Sequence, residues 1–578
     1  MSRAVDRRSV LRGVAGTAAL AAWLPAWAQP VSAGIAAPLP VVSGTDIALT
    51  IAGQTLVMDG RATRAIGING TVPGPLIRLR EGQDVRLHVT NGLDEDSSLH
   101  WHGLLVPARY DGVPGISFPG IAPHTRFTYA FPVNQAGTYW YHSHSGLQEQ
   151  LGVYGPIVID PAAPDAAPYD REHVIVLSDH SAQSPEAILR RLKLQPGYYD
   201  NQQQTLRGLL AGRDQPLAER LRWGRMRMDP TDIADVTGAA YTYLVNGHGP
   251  RDNWTGLFAR GERVRLRIVN ASSMTTFDVR IPGLPMTIVQ ADGMDVKPVT
   301  VDEFQIGVAE TYDAIVIPPD DRAYTLVSES VDRSGIARAT LAPRAGMVGA
   351  VPPLRRRPVA TMADMGMAGM AEGHAMTGMA MPAAATPAPM AMGAMPMRDF
   401  ARTPQVARDS GVQTIAPMPA DRTGDPGQGL ADAGHRVLTY RDLVAAARNP
   451  DVRAPGRTID VHLTGNMERY MWSFDGMKMS DAMEPLPFVL GERVRVRLVN
   501  DTMMAHPIHL HGHFFELVTG QGDHAPRKHT VIVQPGGTAS FDLTADAVGD
   551  WAFHCHMLYH MHAGMMRVVS VRPAGEAA

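Results

Sequence analysis

"EGQDVRLHVTN" (residues 81–91), "RGERVRLRIVN" (260–270) and "LGERVRVRLVN" (490–500) are three versions of one phrase in a chain of 578 residues. Each has a glycine, two polar residues, then Val, Leu or Ile alternating with Arg or His, and each ends on Asn. Alternation with period two sends successive side chains to opposite faces, so each phrase predicts a half-buried β-strand that ends in a turn at the Asn. Recurrence of the phrase predicts one domain type used three times. The length agrees, since a domain takes roughly 100–200 residues. Most of what remains is short β-type runs punctuated by Gly and Pro, such as "GTYWYHSH" (137–144), "YGPIVIDP" (154–161) and "YDAIVIPP" (312–319). The expected class is therefore all-β, built from Greek-key sandwiches.

Working outward from the repeats gives domains at 40–162, 170–345 and 430–573. Two stretches depart from the β pattern. At 184–235, "PEAILRRLKLQ" and "LAERLRWG" have the apolar spacing of amphipathic helices and predict a helical insertion in the second domain. Residues 346–425 are rich in Ala, Pro, Gly and Met and predict a flexible linker before the third domain. The N-terminus carries Arg7 and Arg8, then a short apolar run ending in Ala26-Trp27-Ala28. This predicts a twin-arginine signal over 1–28, read by the twin-arginine export machinery and cleaved near Ala28, leaving a soluble periplasmic protein. The run from Val14 to Ala28 is short of the roughly 20 residues a spanning helix needs, so no stable membrane insertion is expected.

With 53 Lys and Arg against 57 Asp and Glu, the formal charge is -4, which excludes the basic field of a nucleic-acid binder. The chain has one cysteine, Cys555, and so no internal disulfide. A monomer is expected.

Alignment of the repeats on their terminal Asn locates the chemistry. Nine and eleven residues after Asn91 stand His100 and His102; nine and eleven after Asn500 stand His509 and His511; the same steps from Asn270 reach Val279 and Ile281. A later strand repeats the contrast: "GTYWYHSH" and "GDWAFHCH" (549–556) hold His142/His144 and His554/His556, whereas the second copy has "RAYTLVSE" (322–329). In a strand each His-x-His pair presents two imidazoles on one face, and the four pairs make eight. Cys555, between His554 and His556, must face the other way and needs a site of its own. His506, His560 and Met565 are near in sequence, and two histidines, a thiolate and a weak axial thioether suit blue copper. Zinc would prefer a closed tetrahedron. A lone histidine is more often a satisfied core residue than a ligand, but twelve of the 22 histidines fall in the four short stretches 100–103, 142–144, 506–513 and 554–565. His513 and His562 have no partner in the repeats and are left out as ligands.

"HWHG" (100–103), "HSH" (142–144), "HPIHLHGH" (506–513) and "HCHMLYHMHAGM" (554–565) resemble the four copper-binding signatures of multicopper oxidases, the family of laccases, ascorbate oxidase and bacterial cuprous oxidases. Within it, "YDGVPG", "YWYHSHSGLQEQLGVYGPIVID" and "MERYMWSFDG" are most similar to the copper-resistance type. The resemblance implies three cupredoxin-like domains and four copper ions. Type 1 copper would take His506, Cys555, His560 and Met565; type 2 would take His100 and His509. The type 3 pair would take His102, His142 and His556 on one ion and His144, His511 and His554 on the other. The cluster would lie between domains one and three, with domain two mainly a spacer. Electrons would pass from the type 1 site through Cys555 to the cluster, where dioxygen becomes water, with Asp111 in the proton relay. Related cuprous oxidases carry a second acid where this chain has Met561.

Eleven methionines fall between Thr361 and Met397, and thioethers favour Cu(I). Met503, Met504 and Asp501, just before His506, are the expected contacts of a substrate Cu(I), Thr502 standing where relatives have the acid. Three functions follow: a cuprous oxidase of copper resistance, a laccase-like phenol oxidase, and a copper-sequestering protein in which turnover is secondary. A complete wire through Cys555 has no use in storage and favours the oxidases.

Overall fold

A computed structural model describes residues 38–367, 406, 409–481 and 484–575. The leader at 1–28 and most of the Met-rich run, 368–405, lie outside the described residues. Among the described residues no helix is long and apolar enough to cross a membrane.

Each repeat strand occupies the same place in its sheet. Asp84–Asn91, Val264–Asn270 and Arg493–Asn500 each pair in parallel with an earlier strand: Asp46–Met58, Arg171–His180 and Arg457–Asn466 respectively. On the other side each pairs antiparallel with a later one: Arg126–Pro132, Thr311–Val316 and Gly537–Thr544. In all three copies the terminal Asn is fully buried and does the same work. The Nδ2 groups of Asn91, Asn270 and Asn500 donate to two carbonyls each: those of Glu95 and Ile121, Thr275 and Ile306, and Met504 and Val533. Each Oδ1 accepts the backbone N–H two residues on. An amide that donates twice and accepts once closes the turn leaving the strand, which is why Asn ends each phrase.

The alternation holds for the first copy, where Val85, Leu87 and Val89 are buried between more exposed neighbours. The second copy is buried on both faces. There Arg265 and Arg267 are covered by domain one and satisfied internally: both pair with Asp313, and Arg267 donates to Thr138 across the domain boundary.

A second sheet completes each sandwich and carries the paired positions. In domain one it includes His100–His102 beside Gly137–His142, with His100 opposite His142. In domain three His506–Leu510 lies beside Gly549–Cys555, with His509 opposite His554 and Ile508 opposite Cys555. In domain two the matching strands are Phe277–Arg280 and Tyr324–Ser330, and Val279 and Ile281 fill its core.

The insertion forms helices Pro185–Leu194, Leu206–Leu210 and Leu217–Arg225. Ser184 and Thr205 cap the first two by accepting N–H groups three residues on. The described ends of 346–425 differ from the flexible linker expected. Arg355 pairs with Glu303 and Glu329 of domain two, Arg422 with Asp364, and Ala416 N–H donates to Asp501. Met362 and Met365 are buried in a cluster with Trp223, Ala360 and Met503. Buried apolar side chains and paired guanidiniums hold these arms to domains two and three, a fixing that composition alone does not reveal.

Candidate metal centre

Cys555 ends the strand Gly549–Cys555 with its side chain in the interior of domain three. Its Sγ is 3.6 Å from His506 Nδ1 and 3.8 Å from His560 Nδ1, and the two nitrogens are 3.2 Å apart. His560 sits on the short helix Leu558–Ala563, which stops at Gly564 with φ +127°. A Cβ there would meet Lys478 Cβ at 2.7 Å and the Trp472 carbonyl at 2.8 Å, so only glycine returns the chain beside the cysteine strand. Met565 follows, fully buried, its carbonyl accepting the Cys555 N–H. Burial pushes the Cys555 thiol well above its ordinary value, so the thiolate that ligates metal needs a cation beside it.

The outer nitrogens of both histidines are also held. His560 Nε2 meets Asp235 Oδ2 at 2.7 Å, and that same oxygen accepts from Tyr470 OH at 2.8 Å. His506 Nε2 meets Thr502 Oγ1 at 2.8 Å. Trp472 stacks on His560 at 3.9 Å.

On the other face of the strand, His554 and His556 join the six remaining paired histidines. Sets of three whose ligand atoms lie within 4.8 Å of one another include His102, His142 and His556; His144, His511 and His554; His100, His102 and His509; and His100, His142 and His144. Bare nitrogens face each other across the domain boundary and within it, as His142 Nε2 and His556 Nε2 do at 3.3 Å and His511 Nε2 and His554 Nε2 at 3.0 Å. Among the described residues, His100 Nε2, His102 Nδ1, His144 Nε2 and His509 Nε2 are buried without a hydrogen-bond partner.

The opposite edges of several rings are anchored. His142 Nδ1 meets Glu149 Oε2 at 2.7 Å, and His509 Nδ1 donates to the His529 carbonyl at 2.7 Å. Asp111 holds two rings from two domains: its backbone carbonyl accepts from His100 Nδ1 at 2.7 Å, with Oδ1 3.3 Å away, and its Oδ2 lies 3.0 Å from His511 Nδ1. One nitrogen anchored and the other bare is the arrangement a metal-ligating imidazole needs. The donor set of imidazoles and one thiolate therefore fits copper at both places.

Electrostatics agree with cationic occupants. Burial, followed by mutual repulsion, holds His102, His142, His144, His509, His554 and His556 well below the ordinary imidazole value; it does the same to His506 and takes His511 to about 4. Burial alone would raise the Asp111 carboxyl, but the charges and hydrogen bonds of His511 and His100 outweigh it and hold the group well below the usual carboxylate range.

A pH dependence follows. Unfolded imidazoles take up protons below about pH 6.5, whereas the folded, metal-free chain keeps these neutral. Stability of the metal-free protein is therefore present above pH 6.5 and lost as pH falls from about 6.5 toward about 4. The loss is up to about 1.4 kcal/mol per unit for each imidazole. Thermal melting of the metal-free protein at pH 7.5 and 5.5 checks this, with a lower Tm expected at pH 5.5.

Glu149, Asp235 and His529 hold ligands without being among the residues expected from the sequence, and Asp235 does so from a distant part of the chain. Glu149 follows "HSH" by five residues, and a charge between Gln148 and Gln150 in a buried turn was the available signal. Of the expected substrate contacts, Met503 borders a cavity, but Met504 is buried in the domain-three core. Asp501 is turned to His462 Nδ1 at 2.7 Å. His513 and His562 stand apart, on the His511 and Gly146 carbonyls. Domain two is more than a spacer: it supplies Asp235, and its Asp292 accepts the N–H groups of His529 and Thr530 beside the His509 and His102 rings.

Residues 50–164, 217–345 and 453–575 match the multicopper oxidase family in turn, and the chain belongs to that family. It is an oxidoreductase that uses dioxygen, and its cofactor is copper. The chain is 50% identical to a copper resistance protein A homolog of Pseudomonas syringae pv. tomato, over 99% of this chain and 100% of that one. It is 46% identical to copper resistance protein A of Escherichia coli, over 98% and 99%. Among solved structures it resembles a laccase from Botrytis aclada in fold, with a TM-score of 0.61 at 21% identity, over 93% and 88%.

Proposed function

We propose that the protein is a periplasmic cuprous oxidase of copper resistance, exported by its twin-arginine leader and acting as a monomer. The observation that carries this is one strand, Gly549–Cys555, whose end serves two metal sites on opposite faces: Cys555 toward His506 and His560, and His554 and His556 toward six further imidazoles. Four coppers fit these groups. His506, Cys555, His560 and Met565 hold type 1, His100 and His509 hold type 2, and the sets His102/His142/His556 and His144/His511/His554 hold the type 3 pair. Bound copper supplies one-electron relay and the four-electron reduction of dioxygen to water.

The residues do the rest. Cys555 links the two sites through one peptide unit on either side. Asp111 keeps His100 and His511 oriented while remaining ionised, ready to receive and pass on protons drawn to the cluster. Glu149, Asp235 and the His529 carbonyl fix the tautomers of His142, His560 and His509. Cu(I) is favoured over phenols as the donor because His506 and His560 are fully buried and their outer nitrogens are already held by Thr502 and Asp235, leaving no imidazole edge for an aromatic ring. The names of the copper-resistance relatives point the same way.

Oxygen uptake by the copper-loaded protein tests the reading. Cu(I) is expected to support a higher kcat/KM than 2,6-dimethoxyphenol. A phenol preference would assign the laccase-like function instead, and no uptake with either donor would assign sequestration.

A further inference from the structure

We propose that the three helices inserted in domain two form a docking surface for an anionic phospholipid bilayer, their leucines entering the interface and their arginines meeting the phosphates. The proposal holds whichever electron donor the enzyme takes.

Five of the six exposed leucines among the described residues fall between Leu194 and Leu221. Leu194, Leu206 and Leu210 are 80%, 69% and 79% exposed, and Leu217 and Leu221 are 58% and 54% exposed. Each helix turns them out in the same way. Leu192, Gly208 and Trp223 are buried and hold the helices Pro185–Leu194, Leu206–Leu210 and Leu217–Arg225 to the protein. A side chain two positions away on a helix points to nearly the opposite side, so Leu194, Leu206, Leu210 and Leu221 face outward. Leu217, four residues before Leu221, shares its side. The second and third helices are tied to each other: Gln204 donates to Gln215, the Thr205 N–H to Asp214, and Arg220 to the Thr205 and Gln204 carbonyls. Trp223 is buried with Met362, Met365 and Met503, so these leucines stand on a fixed platform.

Charge identifies the occupant. The whole chain has a formal charge of -4, yet from Arg190 to Arg227 nine Arg and Lys stand against three acids, Asp200, Asp214 and Glu219. Eight of the nine are exposed and none of the three acids is; the exposed acids Glu186 and Asp229 lie beyond the two ends. Asp214 is also taken by Arg357. No ion pair among the described residues engages any of the eight exposed cations. Elsewhere on the surface exposed arginines are paired, as Arg86 is with Asp46, Arg263 with Asp170 and Arg457 with Glu492. Unpaired cations on long apolar stems around projecting leucines suit a bilayer surface, where the stems lie along the acyl boundary and the charges reach the phosphates. A protein partner would need a shaped pocket for each of five leucines on three separate helices. A bilayer takes them in any arrangement.

Co-sedimentation of the copper-loaded protein, free of residues 1–28, with vesicles of phosphatidylglycerol and phosphatidylethanolamine tests the surface, with phosphatidylcholine vesicles as the neutral comparison. Wild type is expected to bind the anionic vesicles, more weakly as salt is raised, and to leave the neutral ones unbound. One variant carries Leu206→Ser, Leu210→Ser, Leu217→Ser and Leu221→Ser; another carries Arg207→Glu, Arg222→Glu and Arg225→Glu. Each should lose affinity for the anionic vesicles by at least about 10-fold. All seven side chains are exposed, so oxygen uptake in solution should match wild type in both. Should the serine changes disturb the fold, Leu210→Trp decides alone: its added indole emission should shift to shorter wavelength with anionic vesicles and not with neutral ones. Wild type left in the supernatant by anionic vesicles overturns the proposal and assigns the face to a protein partner. Binding lost on charge reversal but untouched by the serine changes also overturns it, because attraction to anions would then need no leucine.

Discussion

Copper-loaded Cys555→Ser is expected to lack the blue colour of the type 1 site and to consume oxygen at less than about one-hundredth of the wild-type rate with every donor. Removing an outer partner of a metal ligand already costs roughly 10–100-fold, and here the ligand itself is lost. Cys555 is also the shortest covalent link between the His506/His560 group and the eight-histidine group, being bonded directly to His554 and His556. Serine is close in size, and the site is fully buried, so the fold should persist with its other coppers bound. Metal analysis beside the oxygen electrode separates loss of the wire from loss of the whole centre. Near-normal oxygen uptake by this variant would show that electrons reach the cluster another way.

Asp111→Asn has the second-largest expected effect, a fall of roughly 10–100-fold in oxygen turnover. The completely buried carboxylate accepts from His511 Nδ1 of domain three and lies 3.3 Å from His100 Nδ1 of domain one, which donates to the Asp111 backbone carbonyl. An amide keeps the backbone anchor of His100 but removes the buried negative charge between the two rings and can turn its N–H₂ toward His511, whose anchor is then lost. The defect should fall on the cluster side alone. Anaerobic bleaching of the blue colour by a reductant should keep pace with wild type while reoxidation by dioxygen slows. Equal slowing of both phases would mean that Asp111 supports the fold and not the cluster.

How much of this was legible in the sequence follows from where each interaction lies along the chain. The three phrases ending at Asn91, Asn270 and Asn500 disclose the architecture because period-two alternation and the turn-closing amide are local. His100/His102, His142/His144, His509/His511 and His554/His556 were legible for the same reason, since i and i+2 share a face whatever the rest of the protein does. The outer partners were not. Asp235 reaches His560 across 325 residues and Asp292 reaches the His529 N–H across 237, and no spacing rule announces such contacts. The placement of Met504 was not legible either: its backbone carbonyl serves Asn500, and its side chain lies in the core while its neighbour Met503 meets the cavity. The spacer reading of domain two failed because absence of ligands says nothing about second partners, and Asp235 and Asp292 are both its own.

The central claim is that one strand wires Cu(I) oxidation to complete reduction of dioxygen. Counting both reactants under limiting oxygen in the copper-loaded protein tests it most directly. The account predicts four Cu(I) oxidised for each dioxygen consumed, with no peroxide released and with turnover absent in Cys555→Ser. Two Cu(I) per dioxygen with free peroxide, or the same stoichiometry and rate without Cys555, would contradict it.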